Sequence, residues 1–150
     1  MTYLSEPVLV VENLSLSFFD VNQNTSHPVL SKLNFDLRKG EVLGIVGDSG
    51  SGKTLTALTI AGLLPETAEV TSGRIMFEGK DLLKLNAQDR RKLLGDKIGM
   101  IFQEPLSSFN PLMTIGSHLN EVLTSHSKPQ VPSDNADNRK SLIIDMLAPV

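Results

Sequence analysis

The chain has no cysteine, which excludes a disulfide framework and a thiolate metal site and accords with a reducing compartment. No apolar run approaches the roughly 18 residues needed to cross a bilayer. The N-terminal stretch Met-Thr-Tyr-Leu-Ser-Glu-Pro lacks the basic residues that precede the apolar core of a signal peptide. Work at a membrane is therefore expected to go through another protein that spans it. A charge excess is missing too: 14 Lys and Arg against 17 Asp and Glu leave a net charge of -3. With no basic cluster either, nucleic acid is not an expected partner. The sequence has no internal repeat and no low-complexity tract, and the sequons at Asn13 and Asn24 carry no weight in an unsecreted protein.

What is present has the composition of an ordinary globular domain. The chain has 150 residues, 40% apolar and 21% charged, long enough to bury a core. Leu14, Leu16 and Phe18 alternate with Ser15 and Ser17, as in a half-buried strand. A polar loop is expected from Asp20 to His27. Alternation resumes with Leu33, Phe35 and Leu37 against Asn34 and Asp36, before a turn at Arg38-Lys39-Gly40. Two such strands in succession predict an antiparallel sheet with one covered face.

The pattern changes at Val42. Residues 42–46, Val-Leu-Gly-Ile-Val, are apolar throughout and predict a strand buried on both faces. A Gly/Ser-rich loop follows, then a helix over 53–64 that Pro65 would stop. Ile75 and Phe77 suggest a further alternating strand. A charged helix over 87–94 and a second buried strand over 98–102 come next. A helix is expected to begin near Thr114, a suitable N-cap, with Ile115, Leu119, Val122 and Leu123 on one face. Residues 125–138 read as a polar linker. The last stretch places Leu142, Ile143, Met146 and Leu147 on one side of a helix.

Within this frame, Gly47-Asp48-Ser49-Gly50-Ser51-Gly52-Lys53-Thr54 matches Gly-x-x-x-x-Gly-Lys-[Ser/Thr] in full. Glycines are required because the backbone must wrap a phosphate with its N–H groups pointing inward, at dihedrals other residues resist. The helix opening at Lys53 adds the positive end of its dipole to the same site. Lys53 would reach the β- and γ-phosphates, and the Thr54 hydroxyl would hold Mg²⁺. A strand before the loop and a helix after it are the context this motif needs, so nucleotide binding is the principal expectation.

The residues around the loop select among phosphate-loop proteins. LSLSF and LNFDLRKGE ahead of it, GDSGSGKT itself, SGRIMFEGKDL after it and IGMIFQEPLSSFNPLMTI further on resemble the ATP-binding domains of ABC transporters over nearly the whole chain. The fold implied is an α/β phosphate-loop core of ABC type, with an antiparallel β-subdomain ahead of it and the start of a helical subdomain behind. The boundaries expected are 1–41, 42–103 and 104–150. By resemblance Gln103 is the Q-loop glutamine, whose side chain would serve Mg²⁺ and the attacking water. Residues 104–119 would carry the surface that meets a membrane subunit. Phe18 matches the aromatic residue that stacks on adenine, with Phe19 second. The wording of the motifs leans toward the branch that imports di- and oligopeptides, nickel and related small peptides. ATP and Mg²⁺ would be the ligands. Membrane-spanning permease subunits and a second ATP-binding domain, separate or fused, would be the partners, at the cytoplasmic face of the membrane.

The 150 residues contain no Leu-Ser-Gly-Gly-Gln signature, no hydrophobic strand ending in Asp-Glu and no switch histidine. They read as the front part of such a domain, able to bind ATP but not to hydrolyse it alone. Leu142-Ile143-Ile144-Asp145 has helical rather than strand spacing. His27, His118 and His126 read as surface residues. Two other readings fit the loop: a small-molecule kinase, for which Arg90 and Arg91 would be lid candidates, and a non-catalytic remnant or regulator that competes for a transporter subunit.

Overall fold

The computed structural model describes residues 6–104, 109–125, 141 and 143–145. The chain forms two compact units, Met1–Leu94 and Gly95–Val150.

The first unit is built on an antiparallel sheet. Strands β1 (Pro7–Asp20) and β2 (Thr25–Arg38) form a long hairpin, followed by helix α1 (Lys53–Ala61), strand β3 (Ala68–Phe77), the short strand β4 (Lys80–Asp81), a 3₁₀ turn (Leu82–Lys84) and helix α2 (Ala87–Leu93). The strand order is β2-β1-β3-β4. The expected loop over 20–27 is shorter than its polarity suggests. Only 21–24 form the turn, because Ser17, Phe18, Phe19 and Asp20 pair with Pro28, His27, Ser26 and Thr25.

Leu9, Val11, Leu14, Leu16, Leu30, Ile75 and Leu82 make the apolar core. The inward residues of β1 change parity between Val11 and Leu14. A strand of strict period two cannot do that, and the pairing register shifts there against both neighbours. Asn13 absorbs the extra residue with φ 49, and its N–H donates to Asn34 Oδ1 at 2.8 Å. This is the behaviour of a β-bulge. On the neighbouring strand Gly73 crosses the irregularity at φ +97, where an added Cβ would lie 2.6 Å from the carbonyl oxygens of Glu12 and Asn13 and from Leu14 Cα. On the surface, Arg74 pairs with Glu12, and its guanidinium holds that carboxyl below the usual carboxylate range.

Helix α1 ends earlier than Pro65 alone would require. Gly62 takes φ 67 and ψ 29, its N–H donates to the Thr59 carbonyl at 3.1 Å, and the Leu63 N–H donates to Leu58 at 2.8 Å. These paired bonds satisfy the last carbonyls and stop the helix at Ala61. Helix α2 begins as expected, capped by Asn86, whose side chain accepts from the Asp89 N–H at 2.9 Å. Lys92 and the Asn86 amide together hold the Asp89 carboxyl low.

The apolar run 42–46 is a correction to the sequence reading. These residues belong to no strand, and Val42 and Val46 are each 95% exposed. A strand of that composition needs a neighbour on each side, and among the described residues it has none. The run 98–102 departs from expectation in the same way. Ile98 makes only an isolated bridge, its carbonyl accepting from the Gly95 N–H at 2.8 Å, and Ile101 is 91% exposed.

In the second unit helix α3 (Ile115–Ser125) starts as predicted. Thr114 Oγ1 accepts from the Ser117 N–H at 3.2 Å, and the edge of the His118 ring packs on Phe109, centroids 5.1 Å apart. Ile115 and Val122 on its apolar face are exposed. Residues 141 and 143–145 are helical, as the spacing around Ile143 and Asp145 predicts. Of the linker expected over 125–138, Ser125 is the last residue of α3; residues 126–138, His126 among them, and Leu142, Met146 and Leu147 lie outside the described residues.

Candidate phosphate-binding site

Residues 47–54 run from an irregular segment into the first turn of α1. Gly50 has φ 82 and Gly52 φ 90, left-handed dihedrals of the kind that an anion-wrapping loop uses. The Ser51 N–H closes a turn on the Asp48 carbonyl at 3.2 Å. An added Cβ on Gly47 would lie 2.9 Å from Ser51 Oγ. Among the described residues, the N–H groups of Gly50, Gly52, Lys53 and Thr54 find no acceptor in the chain. Those of Lys53 and Thr54 are among the orphan donors of a helix start.

Lys53 folds back over the loop. Its Nζ donates to the carbonyls of Gly47 at 2.7 Å and Asp48 at 2.6 Å, and to Ser51 Oγ at 3.2 Å. The ammonium is therefore held against the loop by three of its oxygens. Thr54, the following residue, is exposed. The arrangement offers convergent donors and a positive charge to an anion, together with a hydroxyl fit for a hard cation.

What holds the loop was not legible in the motif. Gly52 is buried, and an added Cβ would lie 2.3 Å from Leu30 Cδ2 and 3.7 Å from the Val29 carbonyl oxygen. The last loop glycine is thus pressed onto β2, 22 residues upstream, a contact no local signal announces. Thr56 is buried beside it and bonds the Gly52 carbonyl through both its N–H, at 2.8 Å, and its hydroxyl, at 3.0 Å.

Leu30 pairs with Leu16 of β1. Phe18 lies two residues further along that strand, about 7 Å away, paired with His27 on one side and Ala68 on the other. It is half-buried, whereas Phe19 is 42% exposed and its N–H donates to the Thr67 carbonyl at 2.8 Å. The sheet thus carries the predicted aromatic position and the predicted loop on connected residues of the first unit. Gln103 belongs to the second unit. It is exposed in a bend, not at the end of a buried strand as its sequence context predicted, because the run 98–102 lacks strand partners. His27 is exposed, with Nε2 3.1 Å from Thr25 Oγ1, and His118 is half-buried with Nε2 3.3 Å from the Asn110 carbonyl oxygen. No group of three or more His, Cys, Asp or Glu side chains that could hold a metal ion occurs among the described residues.

Arg90 is the residue whose role sequence reasoning missed. Its guanidinium packs on Gly62 at the end of α1 and donates to the Leu82 carbonyl. That is a contact inside the fold.

The ABC transporter family pattern matches residues 30–148. A dipeptide transport ATP-binding protein, DppD, of Bacillus subtilis is 44% identical over 124 residues, which are 82% of this chain and 36% of that protein. Its counterpart of the same name in Escherichia coli is 34% identical over 140 residues, 93% of this chain and 41% of that protein. The chain therefore spans roughly two fifths, or less, of the length of these relatives. The dimeric structure of a bacterial ABC transporter cassette, MJ0796, superposes with a TM-score of 0.71 at 22% identity, covering 91% of this chain and 54% of the other. The sheet, the phosphate loop and the helix it opens have the ABC cassette fold, and the chain belongs to the ABC transporter family.

Proposed function

We propose that this chain is the nucleotide-binding front portion of an ATP-binding component that powers import of di- or oligopeptides, or of nickel, through membrane-spanning permease subunits. The observation that carries this reading is the loop 47–54, with its unsatisfied N–H groups and the Lys53 ammonium held over the Gly47 and Asp48 carbonyls. The names of the relatives, dipeptide transport ATP-binding proteins, support the peptide branch. The parts proposed for the complete cassette are 1–41, 42–103 and 104–150.

In this reading the backbone of Gly47, Asp48, Ser49, Gly50, Ser51 and Gly52 cradles the phosphates, and Lys53 balances charge on the β- and γ-phosphates. Phe18 stacks on adenine. Thr54 and Gln103 would hold Mg²⁺, which when bound neutralises charge on the phosphate oxygens. Gln103 also orients the attacking water in the complete cassette. A second ATP-binding domain completes the site, and residues 104–119 meet the permease at the cytoplasmic face of the membrane. The 150 residues bind ATP but do not hydrolyse it, since they contain no strand ending in Asp-Glu to supply a general base.

Titration of the purified chain with a fluorescent ATP analogue tests this reading. Saturable binding is expected, displaced by ATP and ADP more strongly than by AMP and without phosphate release. Failure to bind, or displacement by all three nucleotides alike, would remove the phosphate loop from the account. Phe18→Ala should weaken ATP binding by about 5- to 100-fold if the ring stacks on the base, corresponding to roughly 1–3 kcal/mol. Phe19→Ala should leave it within about twofold, and the reverse ranking would move the adenine platform to Phe19.

A further inference from the structure

Helix α1 has the candidate phosphate loop at its N-terminal end, and its large apolar side chains, Leu55, Leu58 and Ile60, are only half-buried. Its buried residues are Thr56, Thr59 and Ala61, all small. The two hydroxyls bond back into the helix, Thr59 Oγ1 to the Leu55 carbonyl at 2.6 Å and Thr56 Oγ1 to Gly52. The helix is instead fastened at its ends. At the N-terminal end Gly52 is pressed on Leu30. At the C-terminal end Gly62 lies under the Arg90 side chain, where an added Cβ would meet Cδ at 2.5 Å, Nη1 at 2.9 Å and Nε at 3.1 Å.

Arg90 in turn is tied down by donation from Nη2 to the carbonyl of Leu82, a residue only 2% exposed. Its fixed positive charge therefore stands at the negative end of the helix dipole. It does so at the wall of a cleft of about 590 Å³ that Thr59, Gly62 and Leu83 also line. Nine helical residues at about 1.5 Å each put Gly62 roughly 14 Å from Lys53. An arginine held there cannot also reach a phosphate at residues 47–54.

We infer that Arg90 is a positioning residue for the phosphate loop. It fixes the far end of α1, and so the direction in which Lys53 and the first-turn N–H groups are aimed. The contact at Gly52 is a point about which the helix can tilt once the far end is released, and convergent donors tolerate only about 10–20° of misalignment. The inference rests on the proposal that residues 47–54 bind the phosphates of a nucleotide. It adds a residue that touches no part of that ligand.

The test compares wild type, Arg90→Ala, Arg90→Lys and Gly62→Ala for binding of ATP, ADP and AMP, at a temperature where circular dichroism shows each protein fully folded. Arg90→Ala is expected to weaken ATP and ADP about tenfold, the usual scale of coupling through a packed element, and AMP less than about twofold. The preference for ATP over AMP therefore falls, which a loss of folded protein would not cause, because it lowers all three affinities alike. Arg90→Lys, whose ammonium can still donate to the Leu82 carbonyl, should recover most of the preference. Gly62→Ala, which pushes the guanidinium away, should lower it and serves as the second variant if Arg90→Ala does not fold. An unchanged ATP-to-AMP preference in a folded Arg90→Ala or Gly62→Ala protein overturns the inference while leaving nucleotide binding in place. Failure of the wild type to bind ATP overturns the reading beneath it instead.

Discussion

Replacing Lys53 by alanine lowers the affinity of the chain for ATP by about 10- to 100-fold and leaves the fold intact. The size follows from what the ammonium does. Hydrogen bonds to charged groups contribute about 1.5–3 kcal/mol, and the phosphate oxygens lose both a charge and a donor that is already in place. In the structure Nζ is held by the carbonyls of Gly47 and Asp48 and by Ser51 Oγ, so little side-chain ordering is left to be done on binding. The fold is spared because residues 47–51 are exposed and the three groups that Nζ bonds, the carbonyls of Gly47 and Asp48 and Ser51 Oγ, all lie in that exposed segment. Calorimetric or fluorescence titration measures the first part, and a thermal melt coincident with the wild type checks the second. Equal affinity of the two proteins would mean that the loop is not where phosphate sits.

Gly73→Ala has the largest expected effect on stability. At φ +97 any side chain is strained, by roughly 1–2 kcal/mol. Here the added methyl would also stand 2.6 Å from three backbone atoms of β1. Backbone in a paired strand cannot rotate aside as a flexible side chain can, so overpacking adds about 1–3 kcal/mol more. At about 4–8 °C per kcal/mol for a unit of this size, a loss near 3 kcal/mol lowers the melting temperature by about 12–24 °C. Differential scanning calorimetry measures this directly. A shift under a few degrees would show that the crossing of β1 and β3 at the bulge is looser than the structure has it.

The bulge explains why part of the sheet was legible in advance and part was not. Alternation of Leu14 and Leu16 with serines announced a strand, and both leucines are buried. The same strand begins seven residues earlier, at Pro7, but Leu9 and Val11 are on the opposite parity from Leu14. Only a register shift at Asn13, matched by Gly73 on the next strand, lets both sets face one core. Period counting sees two incompatible patterns where the folded sheet has one strand.

The phosphate loop was legible because its chemistry is local. Residues 47–54 need glycine dihedrals, a lysine and a helix start, all written within eight positions, and the left-handed Gly50 and Gly52 and the helix start at Lys53 are present. The start of α3 at Thr114 was readable for the same reason, since a cap bonds N–H groups two or three residues away. The apolar runs 42–46 and 98–102 are the opposite case. Composition marked both as interior strands, yet a strand is a relation between segments, and without paired neighbours neither is one here.

The sequence by itself determined the family to which the chain belongs and the places where helices begin. Each depends on residues close together in the chain. Tertiary structure alone decided that Gly52 is braced by Leu30, that Gly62 is covered by Arg90, and that Gly73 must cross the bulge at Asn13. Those contacts join residues 22, 28 and 60 positions apart, and at such separations it is the path of the backbone, not the pattern of side chains, that sets which atoms meet.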